Sequence, residues 1–255
     1  AVRLRLCRVR EPMHPLSFCT MPLYGAREIE RELPWALDDW LAYHLDFLGF
    51  PRGDLYDIDG SFEEVVARRR FQGGGGGALK YRKRWPEMFS AAAAELSGRF
   101  PGCTEALAYA HCLTTHRALS RWVLILHAPD EYMAVSSSDL SEVHRAIASK
   151  AAGRRYAVLF TQGVLWARGG RDLVGQGRGD DPAARGCVLA MSRLRQPRSF
   201  HAFGIFDPDV CRCAGPHWCY DTVGSELRNV ANALDEDVIV GFHFVEMLAR
   251  EPGAC

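Results

Sequence analysis

Trp122-Val-Leu-Ile-Leu-His-Ala-Pro-Asp-Glu-Tyr-Met133 decides how this chain is read. Five bulky apolar residues run directly into a Pro and two carboxylates. The apolar run is too short for a confident helix and suits a strand buried on both faces. Such a strand delivers Asp130 and Glu131 to its carboxyl end, where open α/β sheets bind ligands.

The flanking segments fit that sheet. Residues 15–24 (PLSFCTMPLY) read as a strand that opens into a loop at Pro22. A helix follows, with Pro34 in its first turn. Leu37, Trp40, Leu41, His44, Leu45 and Leu48 form its apolar face, and Gly49 is its stop. Residues 54–59 (DLYDID) predict a short strand ending at Gly60. Ser61 and Glu64 then make a capping box for the next helix. That helix breaks at the glycine run 73–77. Residues 105–119 and 139–152 predict two more helices, the second capped by Ser138. Strands are expected at 156–160, 164–167, 187–191, 199–206 and 238–244, with a glycine-rich polar segment at 169–185. Strand alternates with helix in the first half and the second half is strand-rich. This predicts an α/β fold with a mostly parallel central sheet flanked by helices, mixed in its second half.

Composition excludes several classes. The 255 residues are 48% hydrophobic and 24% charged, enough for one large domain. With 31 basic and 31 acidic residues there is no global charge to draw nucleic acid or an anionic membrane. The basic clusters at 68–70 and 80–84 read as solvated faces. No apolar run approaches the ~20 residues of a membrane span. Nine cysteines are many, and an odd number leaves one outside internal pairing. G-x-S-x-G, P-loop, strand-linked G-x-G-x-x-G and H-E-x-x-H patterns are missing, which removes the common hydrolase, nucleotide triphosphatase, dinucleotide and zinc-protease readings.

Four constellations can carry chemistry. Asp130 and Glu131 suit a hard divalent cation against a diphosphate. Asp57 and Asp59 suit ribose hydroxyls or a base N–H, or serve only the turn before the next helix. Cys211, Cys213, His217 and Cys219 offer a zinc set, against which the C-x-C spacing favours one disulfide and a free thiol. His243, in an apolar strand, is a metal ligand or a satisfied core histidine.

The order of these pieces resembles glycosyltransferase family 92. Ser17-Phe-Cys-Thr-Met-Pro-Leu-Tyr24 looks like that family's first strand, and Trp40-Leu-Ala-Tyr-His-Leu-Asp-Phe-Leu-Gly49 is similar to its W-x-x-Y-H-x-x-x-L-G helix. Leu55-Tyr-Asp-Ile-Asp-Gly-Ser61 resembles its second strand end. Ala110-His-Cys-Leu113 ahead of Arg121-Trp-Val123 is similar to the helix before its metal strand. Asp130-Glu131-Tyr132 stands where the family has D-x-D-E-[FY], with Ala128 in place of the first acid and His127 beside it.

The resemblance implies a GT-A-like nucleotide-diphospho-sugar transferase in one domain. Residues 14–135 would form the nucleotide-sugar-binding half and 136–255 the acceptor-side half. It implies a UDP- or GDP-sugar donor, galactose favoured, and a glycan or glycoprotein acceptor. Thr20, Tyr24, Asp57, Asp59 and Asp130 would serve the donor. Asp130 and His243 would hold Mn²⁺ or Mg²⁺. Glu131 or Asp221 would be the catalytic base, with His217 and Trp218 on the acceptor side. It also implies a Golgi lumenal setting with a membrane segment outside this chain. Two other readings compete: a catalytically impaired glycan- or partner-binding domain, motivated by Ala128, and a small zinc module around Cys211, Cys213 and Cys219.

Overall fold

The apolar run lies within β4 (Ser120–Leu126), which has a hydrogen-bonded strand on each side. The computed structural model describes residues 12–71, 78–135, 139–150, 158–160, 164–168, 193–194, 204–215, 218–222, 231–233 and 239–243. In chain order the first half contains β1 (His14–Leu23), α1 (Ala26–Glu32), α2 (Ala36–Ala42), β2 (Arg52–Asp57), α3 (Glu63–Phe71), β3 (Ala78–Arg82), α4 (Ala91–Arg99), α5 (Glu105–His116), β4, β5 (Glu131–Val135) and α6 (Leu140–Lys150). The second half adds β6 (Val158–Phe160), β7 (Val164–Arg168), β8 (Arg193–Leu194), β9 (Gly204–Phe206), β10 (Cys211–Ala214), β11 (Cys219–Thr222), β12 (Ala231–Ala233) and β13 (Ile239–His243).

The central sheet has seven strands in the order β12-β6-β9-β4-β1-β2-β3. β4, β1, β2 and β3 are mutually parallel, β12 is parallel to β6, and β9 runs antiparallel between β6 and β4. The expected α/β class with a mostly parallel sheet is the observed one. A four-stranded sheet (β5-β13-β7-β8) and the β10-β11 hairpin complete the described architecture.

Both faces of β4 are covered, so its sequence does not alternate. Trp122, Leu124 and Leu126 pack with Leu16 and Phe18 of β1 and with residues of α1, α2, α3 and α6. Val123 and Ile125 pack on the other face with Cys19, α5 and the hairpin. A buried disulfide, Cys19–Cys112, ties β1 to α5 on that second face. Close packing also fixes a glycine. Phe18 lies opposite Gly53 in register, and a Cβ there would sit 2.3 Å from its ring.

Several expected elements are displaced, each for a local reason. The second helix changes to a π-helical turn at Tyr43–Phe47 and ends before Gly49, whose φ of 70° confirms it as the stop. Ser61 is not a helix cap. Its Oγ accepts the Ala26 amide of another loop, and Asp57 receives the Phe62 amide instead. The 80–84 cluster is a solvated face only in part: Lys80, Lys83 and Arg84 are exposed, whereas in β3 Tyr81 donates to Asp57 and Arg82 to Asp54. At 68–70, Arg68 pairs with Glu30 and Asp38, and Arg69 with Asp46. Residue Asp139 stands one position before α6 and accepts the Ser141 amide. The zinc reading fails because Cys211 and Cys219 form a disulfide, leaving Cys213 as a free thiol. Ser138, His217, the segments 73–77 and 169–185, and the strand expected at 187–191 lie outside the described residues.

Candidate functional site at the strand ends

In the parallel set, β2 and β3 follow on one side of β1 and β4 lies on the other. The strand order therefore reverses between β1 and β4, and the region beyond their carboxyl ends is where open α/β sheets bind ligands. The segments that reach it are 20–25 after β1, 57–61 after β2 and 127–131 after β4.

At the end of β4 the chain turns through Ala128, whose carbonyl accepts the Glu131 amide at 3.0 Å. Pro129 presets the turn backbone. Asp130 and Glu131 are both buried. Glu131 Oε2 accepts the His127 amide at 2.5 Å, and its Oε1 lies 3.5 Å from His127 Nδ1. His127 is thus tied to Glu131 through its amide and its Nδ1. Glu131 also begins β5, a strand that the sequence pattern does not predict. Across the antiparallel pair β13-β5, His243 occupies the rung opposite Glu131. His243, 112 positions beyond Glu131 in the chain, is thereby brought by register beside the acid pair, something no local motif encodes.

The β2 end is organised by two acids with different tasks. Asp57 Oδ1 accepts the Asp59 and Gly60 amides, and its Oδ2 accepts the Phe62 amide and the Tyr81 hydroxyl. Burial nevertheless pushes its carboxyl up to about 6, against the lowering effect of Tyr81 and the Phe62 amide. Asp59 links the segments that follow β1 and β2: Oδ2 accepts the Gly25 amide at 2.9 Å and Oδ1 the Ser61 amide at 3.0 Å. Partial burial opposes ionisation, but these bonds hold Asp59 below the usual carboxylate range. Thr20 is buried and its Oγ1 accepts the Tyr56 amide where the β1–β2 register shifts near Pro22. Tyr24 follows β1 directly.

The hairpin supplies the remaining candidates. Asp221 and Trp218 are exposed on it, Asp221 opposite Cys213. Its first strand packs on α5 through Cys211 and Ala214. The Arg117 guanidinium donates to Pro208, so the chain entering the hairpin starts beside the carboxyl end of α5.

The donor set fits a hard cation in kind: a buried aspartate oxygen at a strand end and an imidazole residue on the neighbouring rung. Among the described residues, the grouping Cys19, Cys112 and His116 also meets metal-ligand spacing, but its thiols are joined as a disulfide. There His116 Nε2 contacts Asp54 at 3.1 Å and Nδ1 contacts Ser120 at 2.8 Å. Burial acts to raise Asp54, but hydrogen bonds from His116 and Arg52 bring it down to about 2. This network is fully enclosed and structural.

Sequence reasoning missed the partners that fix these acids: Tyr81 on Asp57, Gly25 on Asp59, and Trp40 and Tyr43 on β5. Of these only Trp40 and Tyr43 carried a signal, as polar-tipped aromatics on an otherwise apolar helix face.

No family model matches the chain. No curated protein matches it either. Two solved structures show partial similarity. TarS 1–349 from S. aureus aligns at 14% identity with a TM-score of 0.32, over 58% of this chain and 35% of that one. TarS 1–349 in complex with UDP aligns at 14% identity with a TM-score of 0.33, over 65% and 38%. The chain thus spans little more than a third of the length of these structures. The likeness to family 92 is carried by the quoted motifs alone.

Proposed function

We propose that this chain is a glycosyltransferase that moves a hexose, galactose favoured, from a nucleotide-sugar to a glycan or glycoprotein acceptor. One observation carries the reading: a buried Asp130-Glu131 pair stands at the carboxyl end of β4, where the strand order reverses. The motif order of family 92 supports it independently.

In this reading residues 14–135 take the donor and 136–255 the acceptor. Asp59 and Tyr24 face the nucleoside, while Thr20, buried with its hydroxyl on the Tyr56 amide, holds β1 against β2 beneath it. Asp57, whose oxygens serve four donors, shapes their loop. Asp130 and His243 would hold Mn²⁺ or Mg²⁺, which when bound neutralises charge gathering on the departing diphosphate. Transfer forms a bond from the acceptor oxygen to the sugar's anomeric carbon and breaks that carbon's bond to phosphate. The acceptor proton passes to a carboxylate base. Glu131 is committed to His127, so we assign it to holding the loop and assign the base to exposed Asp221. His217 and Trp218 belong to the acceptor side. The disulfides among the described residues suit an oxidising compartment and support a Golgi lumenal setting. Among the described residues no helix is long and apolar enough to cross a membrane.

Donor hydrolysis measured across UDP- and GDP-sugars, with and without manganese, tests the reading. Metal-dependent hydrolysis of one sugar class is expected, and none with any donor contradicts it. The second reading, a non-catalytic glycan- or partner-binding domain, rests on Ala128. It predicts that Ala128→Asp creates manganese binding that the wild type lacks, whereas tight binding by the wild type excludes it.

A further inference from the structure

We infer that Trp40 and Tyr43 are positioning residues that clamp β5 and so set where Asp130 and Glu131 stand. The inference rests on the reading of that acid pair as the donor site. Trp40 Nε1 donates to the Glu131 carbonyl and the Tyr43 hydroxyl to the Met133 carbonyl, each at 2.8 Å. The two acceptors are two residues apart, so they lie along one edge of the strand. Among the described residues β5 is the outer strand of its sheet, and β13 covers its other side. An outer strand is held on one edge only unless something else engages it. Here α2 and the π-helical turn supply side-chain donors to that edge.

The aromatic packing seats the same helix on the same strand. The Tyr43 ring meets Tyr132 edge-on at 5.2 Å, and the His44 ring lies 5.7 Å from Tyr132. The helix widens into its π-turn at Tyr43, a local irregularity of the kind found where helices serve a site. Asp130 belongs to the short link between β4 and β5. β4 is fixed in the central sheet between β1 and β9. Any shift of β5 is therefore taken up in residues 127–130, and Asp130 moves with it.

The test uses Tyr43→Phe, which keeps the ring and removes only the hydroxyl. The reference is Ser97→Ala, which deletes a buried hydrogen bond to Thr104 between α4 and the turn after it. Both variants should lower the melting temperature to a similar degree. Tyr43→Phe alone should weaken binding of UDP with Mn²⁺ by roughly fivefold to tenfold, the equivalent of one lost hydrogen bond. It alone should also speed amide exchange in residues 131–135, and Trp40→Phe should reproduce that pattern. Unchanged exchange in β5 for both clamp variants overturns the inference, as does wild-type nucleotide affinity in Tyr43→Phe. If the wild type itself binds no nucleotide, the donor-site reading fails, and exchange in β5 still decides whether the clamp exists.

Discussion

Asp57 and His44 show how much single side chains contribute to this site and in which direction. His44 is fully buried among Phe18, Trp40, Tyr43, Phe50 and Tyr132, and its Nδ1–H donates to the Trp40 carbonyl. Burial lowers its imidazole to about 4, only partly offset by that backbone bond. The unfolded chain then binds the His44 proton first on acidification, so its contribution to stability is lost as pH falls from about 6.5 toward 4. Asp57 has the opposite sign. Its folded carboxyl titrates near 6, so the native state holds the proton more tightly and stability falls as pH rises from about 4 through 6. The two effects oppose each other in the same window. Asp57→Asn should therefore lose stability more steeply than the wild type between pH 6 and 4, measured by urea unfolding at each pH. A slope equal to the wild type's would show that Asp57 does not titrate there. Gly53→Ala is a steric counterpart: its Cβ would strike the Phe18 ring, and a loss of about 1 to 3 kcal/mol is expected in the same assay.

Elements were legible where one interaction dominated. The β4 run, the Gly49 stop and the 105–119 helix followed from apolar pattern and local backbone chemistry. β3 was not legible, because Lys80, Arg82 and Lys83 look solvated until Arg82 and Tyr81 are seen to turn inward onto acids of β2. The Ser61 capping box failed for a related reason: a distant amide, that of Ala26, competed for the hydroxyl. The spacing on the hairpin predicts one disulfide and a free thiol without choosing the pair, whereas Cys19–Cys112 spans 93 positions and left no local trace. That long closure has a measurable consequence. Replacing Cys112 with Ala should cost about 4 to 5 kcal/mol by chain entropy, or as much as the protein's whole margin. Equilibrium unfolding of Cys112→Ala checks this, and a loss below about 1 kcal/mol would show that β1 and α5 are held by packing alone.

For the whole molecule, the sheet class was readable from alternating strand and helix signals, and the site's location followed from where the strand order reverses. The composition of the site was only half readable. Asp57, Asp59, Asp130 and Glu131 stood out as acids at strand ends, but their division of labour depends on partners far along the chain. Asp57 and Glu131 turn out to hold loops, Asp59 links two strand ends, and Asp130 stands next to the rung that His243 reaches. In the proposed reading the donor role therefore concentrates on Asp130. Titration calorimetry of UDP into the full chain, with and without Mn²⁺, tests this most directly when wild type and Asp130→Ala are compared. Manganese-strengthened binding by the wild type that Asp130→Ala abolishes is the predicted result. Equal binding by both proteins, or no binding by the wild type, would contradict it.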